Sequence, residues 1–301
     1  MAIYALPHSS LFRGSLYALA AFFLMAVFGV LTKAAAAHAS IFWVSFISYL
    51  VGLLLMLPIL KKKGTEFLKT SHLSYHLGRV GFGLAASLLY TLSLRYIPLV
   101  NATLLFNTTP LFIPILAIFM LNQRASLRTW ISILIGFIGI MIIIKPTQQI
   151  FDQVGDLIGL ASGISLAIAY VFIKKLAPTD SLEAILFYFF FFATCIQSVF
   201  IPFLGPMPSY PVIAEAVAAG AAFFLAQLSL VKAYEYASAS EVGTFQYSSV
   251  IFVGILDWMI WNQVPPFSDL LGVLLVIIAG LLIIREAMKS QRIPFNIQGK
   301  H

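Results

Sequence analysis

Residues 96–146 read YIPLVNATLLFNTTPLFIPILAIFMLNQRASLRTWISILIGFIGIMIIIKP. Two apolar runs of about twenty residues flank the polar hinge NQRASLR, and twenty residues of helix is the length that crosses ~30 Å of hydrocarbon. A strand reading fails, because the runs are continuous where a membrane barrel strand alternates. The same text returns in weaker form from Tyr236 to Glu286. A shift of 140 residues pairs Tyr96 with Tyr236, Leu111 with Ile251, Phe112 with Phe252, Asn122 with Asn262 and Gln123 with Gln263. A shift of 141 pairs Gly14 with Gly155, Leu16 with Leu157, Leu19 with Leu160, Ala20 with Ala161 and Lys33 with Lys174.

Outward from this stretch, apolar spans are expected at 15–35, 41–60, 79–97, 99–121, 128–145, 156–176, 183–203, 214–234, 240–261 and 268–285. The chain thus reads as an all-α membrane protein of ten transmembrane helices in two five-helix repeats. The segments are a cytoplasmic N-terminus 1–13, a first repeat 14–146, a second repeat 155–286 and a cytoplasmic tail 287–301. Five is odd, so the second unit enters the bilayer from the opposite side and the repeats are inverted. Such duplication gives two halves that exchange conformation about a central site.

Composition agrees. Of 301 residues, 61% are hydrophobic and 10% charged, against roughly 25% charged in soluble domains. The net charge of +7 does not form a nucleic-acid stripe, because the basic residues fall between the runs. Arg13, Lys61, Lys62, Lys63, Lys69, Arg79, Arg124, Arg128, Lys174, Lys175, Lys232, Arg285, Lys289, Arg292 and Lys300 fall on the side of both termini, and Lys33, Arg95 and Lys145 on the other. Fifteen against three places both termini in the cytoplasm. Ala37-His38-Ala39 imitates a cleavage site after an apolar stretch, but that stretch is too long for a signal core and begins a repeat. Cys195, the single cysteine, is expected to be a packing residue. His72 and His76, i and i+4, are expected to be solvated in a loop. No histidine shows metal-ligand spacing, and no G-x-x-x-x-G-K-[ST] loop is present.

The stretch 96–146, its copy and the span count resemble the drug/metabolite transporter superfamily, specifically its EamA-like ten-helix family, over about residues 14–286. The resemblance implies a multipass plasma-membrane carrier (bacterial inner membrane in a Gram-negative cell) of small metabolites such as amino acids or their derivatives, S-adenosylmethionine among them. Gln123 and Gln263 stand where the family often has Glu, and Val250 where a Pro like Pro110 is common. A neutral Gln cannot titrate in a coupling step.

Polar side chains at bilayer depth are costly and mark function. Thr103, Asn107, Pro110 and Pro114 share one face of the fourth span, and each proline frees a carbonyl four residues back. Gln246, Tyr247 and Asp257 lie on the ninth, with Gly243 and Gly254 allowing close approach. Asp257 is the one carboxylate clearly within a span and is expected to face a cavity or a cation. Ser87, Tyr90 and Thr91 on the third span, Gln227 on the eighth, and Ser165 and Tyr170 on the sixth complete the expected substrate-binding set. Phe28, Phe106 and Trp258 offer stacking surfaces. The run Phe189 to Phe192 is read as lipid-facing or packing. No basic residue is expected well inside a span, which favours a zwitterion or organic cation over a polyanion.

These features point to a secondary carrier that imports, exports or exchanges a small polar solute, with no cofactor, no catalytic residue and no nucleic-acid partner. The partners expected are the lipid bilayer and the solute. A coupling ion or counter-substrate and a homo-oligomer are left open. A lipid flippase and a non-transporting sensor or assembly subunit are the alternatives. A membrane enzyme would need acids, His or Cys gathered at one depth, and they are not.

Overall fold

The computed structural model describes residues 10–93, 96–97, 99–145, 154–203, 205–262 and 269–290, and among them there is no strand. Twelve α-helices follow in order: α1 (Ser10–Ala36), α2 (Ile41–Lys63), α3 (Leu73–Ser93), α4 (Leu99–Phe106), α5 (Thr109–Leu121), α6 (Leu127–Ile144), α7 (Val154–Leu176), α8 (Leu182–Ser198), α9 (Tyr210–Tyr236), α10 (Ala239–Thr244), α11 (Ser248–Trp261) and α12 (Asp269–Ser290). A 3-10 turn, Phe245–Tyr247, joins α10 to α11. Among the described residues, six helical segments are long and apolar enough to cross a membrane: Phe12–Ala36, Ile41–Lys63, Asn101–Leu121, Leu127–Ile144, Val154–Leu176 and Tyr210–Tyr236. Leu182–Ser198 and Leu270–Arg285 are apolar but shorter.

Helix ends follow from local chemistry. The Ser126 hydroxyl accepts from the Thr129 N–H, and that of Ser181 from the Ala184 N–H, each satisfying an orphan donor of the first turn. Ser238 and Glu241 form a reciprocal capping box at the start of α10. The hinge NQRASLR begins at Asn122, whose φ of 52° ends α5 in the left-handed region that Asn tolerates. Asn262, 140 residues on, ends α11 in the same way with φ 54°.

The fourth and ninth spans are each interrupted midway, although the backbone there stays right-handed helical (Thr108 φ −72°, ψ −10°; Thr244 φ −60°, ψ −32°). The interruptions lie between α4 and α5 at Asn107–Thr108, and between α10 and α11 at the turn 245–247. The two interruptions overlap under the 140-residue shift at Asn107 and Tyr247. Pro110 therefore sits in the first turn of α5, where its missing N–H has no helical partner to lose. The carbonyl it was expected to free is that of Phe106, and the Thr109 hydroxyl donates to it at 2.7 Å.

The halves interlock by exchanged contacts. α1 packs along α9, α7 along α3, and α6 along α12. A Cβ on Gly14 would lie 2.9 Å from Ala237 Cβ and 3.2 Å from Tyr236 Cβ; one on Gly155 would lie 2.5 Å from Tyr96 Cβ. The matched glycines thus seat matched tyrosines of the opposite half. At the α6–α12 crossing, a Cβ on Gly139 would lie 2.7 Å from the Gly272 carbonyl oxygen, so the backbones meet directly. Gly243 is likewise pressed on Ile113, but Gly254 has open space where close approach was expected.

Side-chain contacts order the ends of the bundle. Lys63 pairs with Glu183 at 2.6 Å, Lys175 lies 4.3 Å over the Tyr75 ring, and Lys174 Nζ donates to the Tyr234 and Ala237 carbonyls. The starts of α1, α3 and α8 and the finishes of α2, α7 and α9 therefore share one end, and that end carries most of the basic residues. At the other, Trp43 Nε1 donates to the Gly205 carbonyl and Gln197 Nε2 to Ser45 Oγ. Phe119, Leu88, Leu134, Leu54 and Leu281 are exposed on the outside, a surface suited to hydrocarbon and not to water. Cys195 is exposed and is not the packing residue expected. Phe189 and Phe190 are buried and Phe191 is exposed.

Candidate functional site

The third helix holds the centre. His76, Arg79, Gly83, Ser87 and Tyr90 recur at three or four residues, so they lie along one stripe of α3. Toward the basic end the stripe is closed. Arg79 is 2% exposed. Its Nη1 donates to the Ile185 carbonyl at 2.8 Å and its Nη2 to Gln227 Oε1 at 2.9 Å, and the guanidinium lies 4.4 Å from the centre of the Phe189 ring. Tyr49 packs on the same Phe189 ring, 5.8 Å between centroids. Residues of α3, α8 and α9 thus meet at one cation, and α2 joins them through Tyr49.

The expectation that no basic residue lies well inside a span is therefore overturned. Arg79 had been counted with the flanking basic residues because it stands at a span boundary; its long side chain instead runs inward to α9. Around it the aromatic rings interlock: Phe223 is edge-on to Tyr49 at 5.5 Å and to Phe190 at 5.9 Å, and stacks on Phe28 at 4.6 Å. Arginine and rings together make a floor across the bundle.

Away from the basic end the stripe opens. Gly83 is half-buried, with only Ala169 and Phe189 at 3.9 Å from where a Cβ would stand, and Ser87 and Thr91 are exposed. Gly29 of α1 and Gly254 of α11 also have nothing within 4 Å of that position, and Ser248–Gly254 are all half-exposed. Ser87 and Thr91 bond only to carbonyls of their own helix, those of Gly83 and Ser87. Tyr90 crosses to α4, its hydroxyl 3.1 Å from that of Thr103 and its ring 5.2 Å from Phe106.

The remaining expected site residues separate. Asn107 donates to the Thr103 carbonyl of its own helix, not across an interface. Ser165 and Tyr170 are buried, Tyr170 with its ring 6.0 Å from Tyr234. Gln246 and Tyr247 are buried, and neither Gln246 Oε1 nor the Tyr247 hydroxyl has a hydrogen-bond partner. Asp257 lies on α11, but its side chain is outside the described residues, as are Gln263 and Arg95. Trp258 is exposed.

A second cluster was missed in the sequence. His76 is buried, not solvated: its Nε2 lies 2.6 Å from Asp180 Oδ2, which also accepts from the Thr70 hydroxyl at 2.6 Å. His72 Nδ1 is 3.7 Å from Asp180 Oδ1. The cluster ties the start of α3 to the loop between α7 and α8. Burial pushes the Asp180 carboxyl up, but the Thr70 and His76 hydrogen bonds outweigh it and hold the group below its ordinary range. Beside it, a cavity of about 500 Å³ at the basic end is lined by Met120, Asn122, Gln123, Lys174, Lys175 and Tyr234. Among the described residues, no group of three His, Cys, Asp or Glu is placed to hold a metal ion.

Comparison with known proteins gives the family and the fold. Curated relatives include a riboflavin transporter of Vibrio cholerae, 27% identical over 84% of this chain and 86% of that protein. An S-adenosylmethionine uptake transporter of Rickettsia bellii is 28% identical over 87% and 89%, and the pseudopaline exporter CntI of Pseudomonas aeruginosa is 26% identical over 90% and 96%. A solved crystal structure superposes with a TM-score of 0.78, covering 91% of this chain and 98% of that one at 16% identity, and so shares the fold. The EamA-like transporter family matches residues 12–145 and again residues 153–285. One family thus accounts for both halves that the repeated glycines and asparagines set in register, and the chain, a multipass membrane protein, belongs to the EamA-like transporter family.

Proposed function

We propose that this protein is a secondary transporter of a small polar metabolite, working by alternating access around the floor built on Arg79. In this reading ten segments cross the membrane as two inverted five-helix units, 14–146 and 155–286. The basic end and both termini face the cytoplasm, in the plasma membrane or the inner membrane of a Gram-negative cell.

The observation that carries the reading is the pair of interrupted helices. The interruptions at Asn107–Thr108 and at 245–247 overlap under the 140-residue shift at Asn107 and Tyr247, in matching members of the two units. Discontinuous helices at the repeat interface are where secondary transporters hold their solute. The stripe is closed toward the basic end by the arginine and ring floor, and Ser87 and Thr91 are exposed beyond it, which supports reading this as an outward-open state. Ser87, Tyr90, Thr91 and Thr103 would line the open path. The relatives are named for riboflavin, S-adenosylmethionine and pseudopaline, which supports a small metabolite as solute, with S-adenosylmethionine a direct test case.

The test is a thermal-shift screen of detergent-purified protein against amino acids, adenosyl compounds, riboflavin, nucleotides, polyamines and lipid precursors. A ligand at 100 times its dissociation constant adds about 2.7 kcal/mol of stability. A shift with a soluble metabolite supports the reading. Shifts confined to lipid precursors would move it to a flippase.

A further inference from the structure

We infer that Arg79 is the anion-binding group of the transport path, and that the solute presents a carboxylate which replaces the Gln227 side chain on the guanidinium. The inference rests on the transport reading above and adds the chemical class of its solute.

A guanidinium carries five N–H donors in a planar fork. Arg79 uses two of them, on a backbone carbonyl and on a neutral amide oxygen, and among the described residues no carboxylate pairs with it. Buried charge inside a membrane protein is retained where it serves a path or a ligand. The fork matches a carboxylate, which takes two parallel hydrogen bonds where the Gln227 oxygen takes one.

Position supplies the approach. Ser87, exposed, lies eight residues from Arg79 on the same stripe, about 12 Å along the axis, and Gly83 between them presents no side chain, with Ala169 and Phe189 at contact distance from where one would stand. A solute entering past Ser87 and Thr91 meets Arg79 as the first cation on the floor. Phe189 already covers one face of the guanidinium, so a carboxylate would arrive at its edge. Gln227 belongs to α9 and Arg79 to α3, in opposite halves of the chain. Exchange of Gln227 for the solute therefore removes one of the two hydrogen bonds by which Arg79 ties the halves, leaving the one to the Ile185 carbonyl.

The experiment uses matched pairs: S-adenosylmethionine with its decarboxylated form, and small amino acids and hydroxy acids with their amides. Each is measured by thermal shift and by counterflow in proteoliposomes holding the full chain. Wild-type protein is expected to prefer the acid of at least one pair by about 30-fold or more, the equivalent of losing one partner of a buried charge pair. Arg79→Gln is expected to abolish that preference. Gln227→Leu, which removes the competing acceptor, is expected to bind the acid more tightly than wild type. Equal affinity for acid and amide in wild-type protein overturns the inference with no variant needed, as does a preference that survives in Arg79→Gln. If only uncharged or cationic solutes are carried, the inference fails while the transport reading stands. If folded protein carries and binds nothing, both fail.

Discussion

Arg79 Nη2 donates to Gln227 Oε1 at 2.9 Å, joining α3 to α9 across 148 residues of sequence. The bond is buried on both sides, with Arg79 2% and Gln227 6% exposed, so removing the amide leaves a buried donor unpaired. Hydrogen bonds to charged groups contribute about 1.5–3 kcal/mol. Gln227→Leu is therefore expected to lower the unliganded protein's stability by about that amount, read as a fall in Tm in detergent. A Tm within a degree of wild type would show that the tie is not part of the closed floor.

Asp180 gives the fold a dependence on acid. Burial alone would raise its carboxyl, but the hydrogen bonds from Thr70 and His76 and the His76 charge hold it below the ordinary 3.8. A depressed folded value means that the carboxylate contributes stability above pH 3.8, and that this is lost as pH falls through the folded value. Wild-type protein is thus expected to lose Tm more steeply than Asp180→Asn below about pH 4, with Asp180→Asn already less stable at pH 7. Parallel Tm curves for the two proteins would contradict it.

Gly14 and Gly155 make a paired prediction. Each lies against a matched tyrosine of the opposite half, with 2.5 to 3.4 Å between a new Cβ and its nearest backbone or Cβ neighbours. Gly14→Val and Gly155→Val are each expected to cost about 1–3 kcal/mol as overpacked contacts. Gly29→Val, which enters open space, is expected to leave stability nearly unchanged. Thermal unfolding of the three variants side by side separates the contact from a general intolerance of valine.

The open path can be mapped by thiol chemistry, since reactivity follows exposure. On a Cys195→Ser background, Ser87→Cys and Thr91→Cys are expected to react with a membrane-impermeant thiol reagent added from the end opposite most basic residues. Val80→Cys, buried on the same stripe, is expected to be unreactive until a solute or a mutation opens the floor. Reaction of Val80→Cys at the rate of Ser87→Cys would place no barrier between them.

Much of the helical framework was legible because hydrocarbon demands length and apolarity, which are local properties. The repeat was legible from Gly14 and Gly155 and from Asn122 and Asn262, residues kept small or tolerant of a left-handed backbone. The interruptions of the fourth and ninth spans were not: Pro110 pointed to a kink, but the turn begins at Asn107, where no proline stands. Nor was the role of Arg79. At a span boundary an arginine reads as an interfacial flank, and only the tertiary arrangement shows whether its four-atom stem runs to the headgroups or to α9. His76 was misread for the same reason, since Asp180 lies 104 residues away. Asn107 is buried, and its amide donates to the Thr103 carbonyl four residues back and not to a neighbouring helix.

Counterflow in proteoliposomes tests the account most directly. Vesicles holding the full chain are preloaded with an unlabelled metabolite, and labelled S-adenosylmethionine, riboflavin and amino acids are added outside in turn. Alternating access predicts transient, saturable accumulation of at least one label above equilibrium, dependent on the preload and abolished in Arg79→Gln protein that is shown to be folded. Accumulation of none of them by folded, reconstituted wild-type protein, or accumulation that ignores the preload, would contradict it.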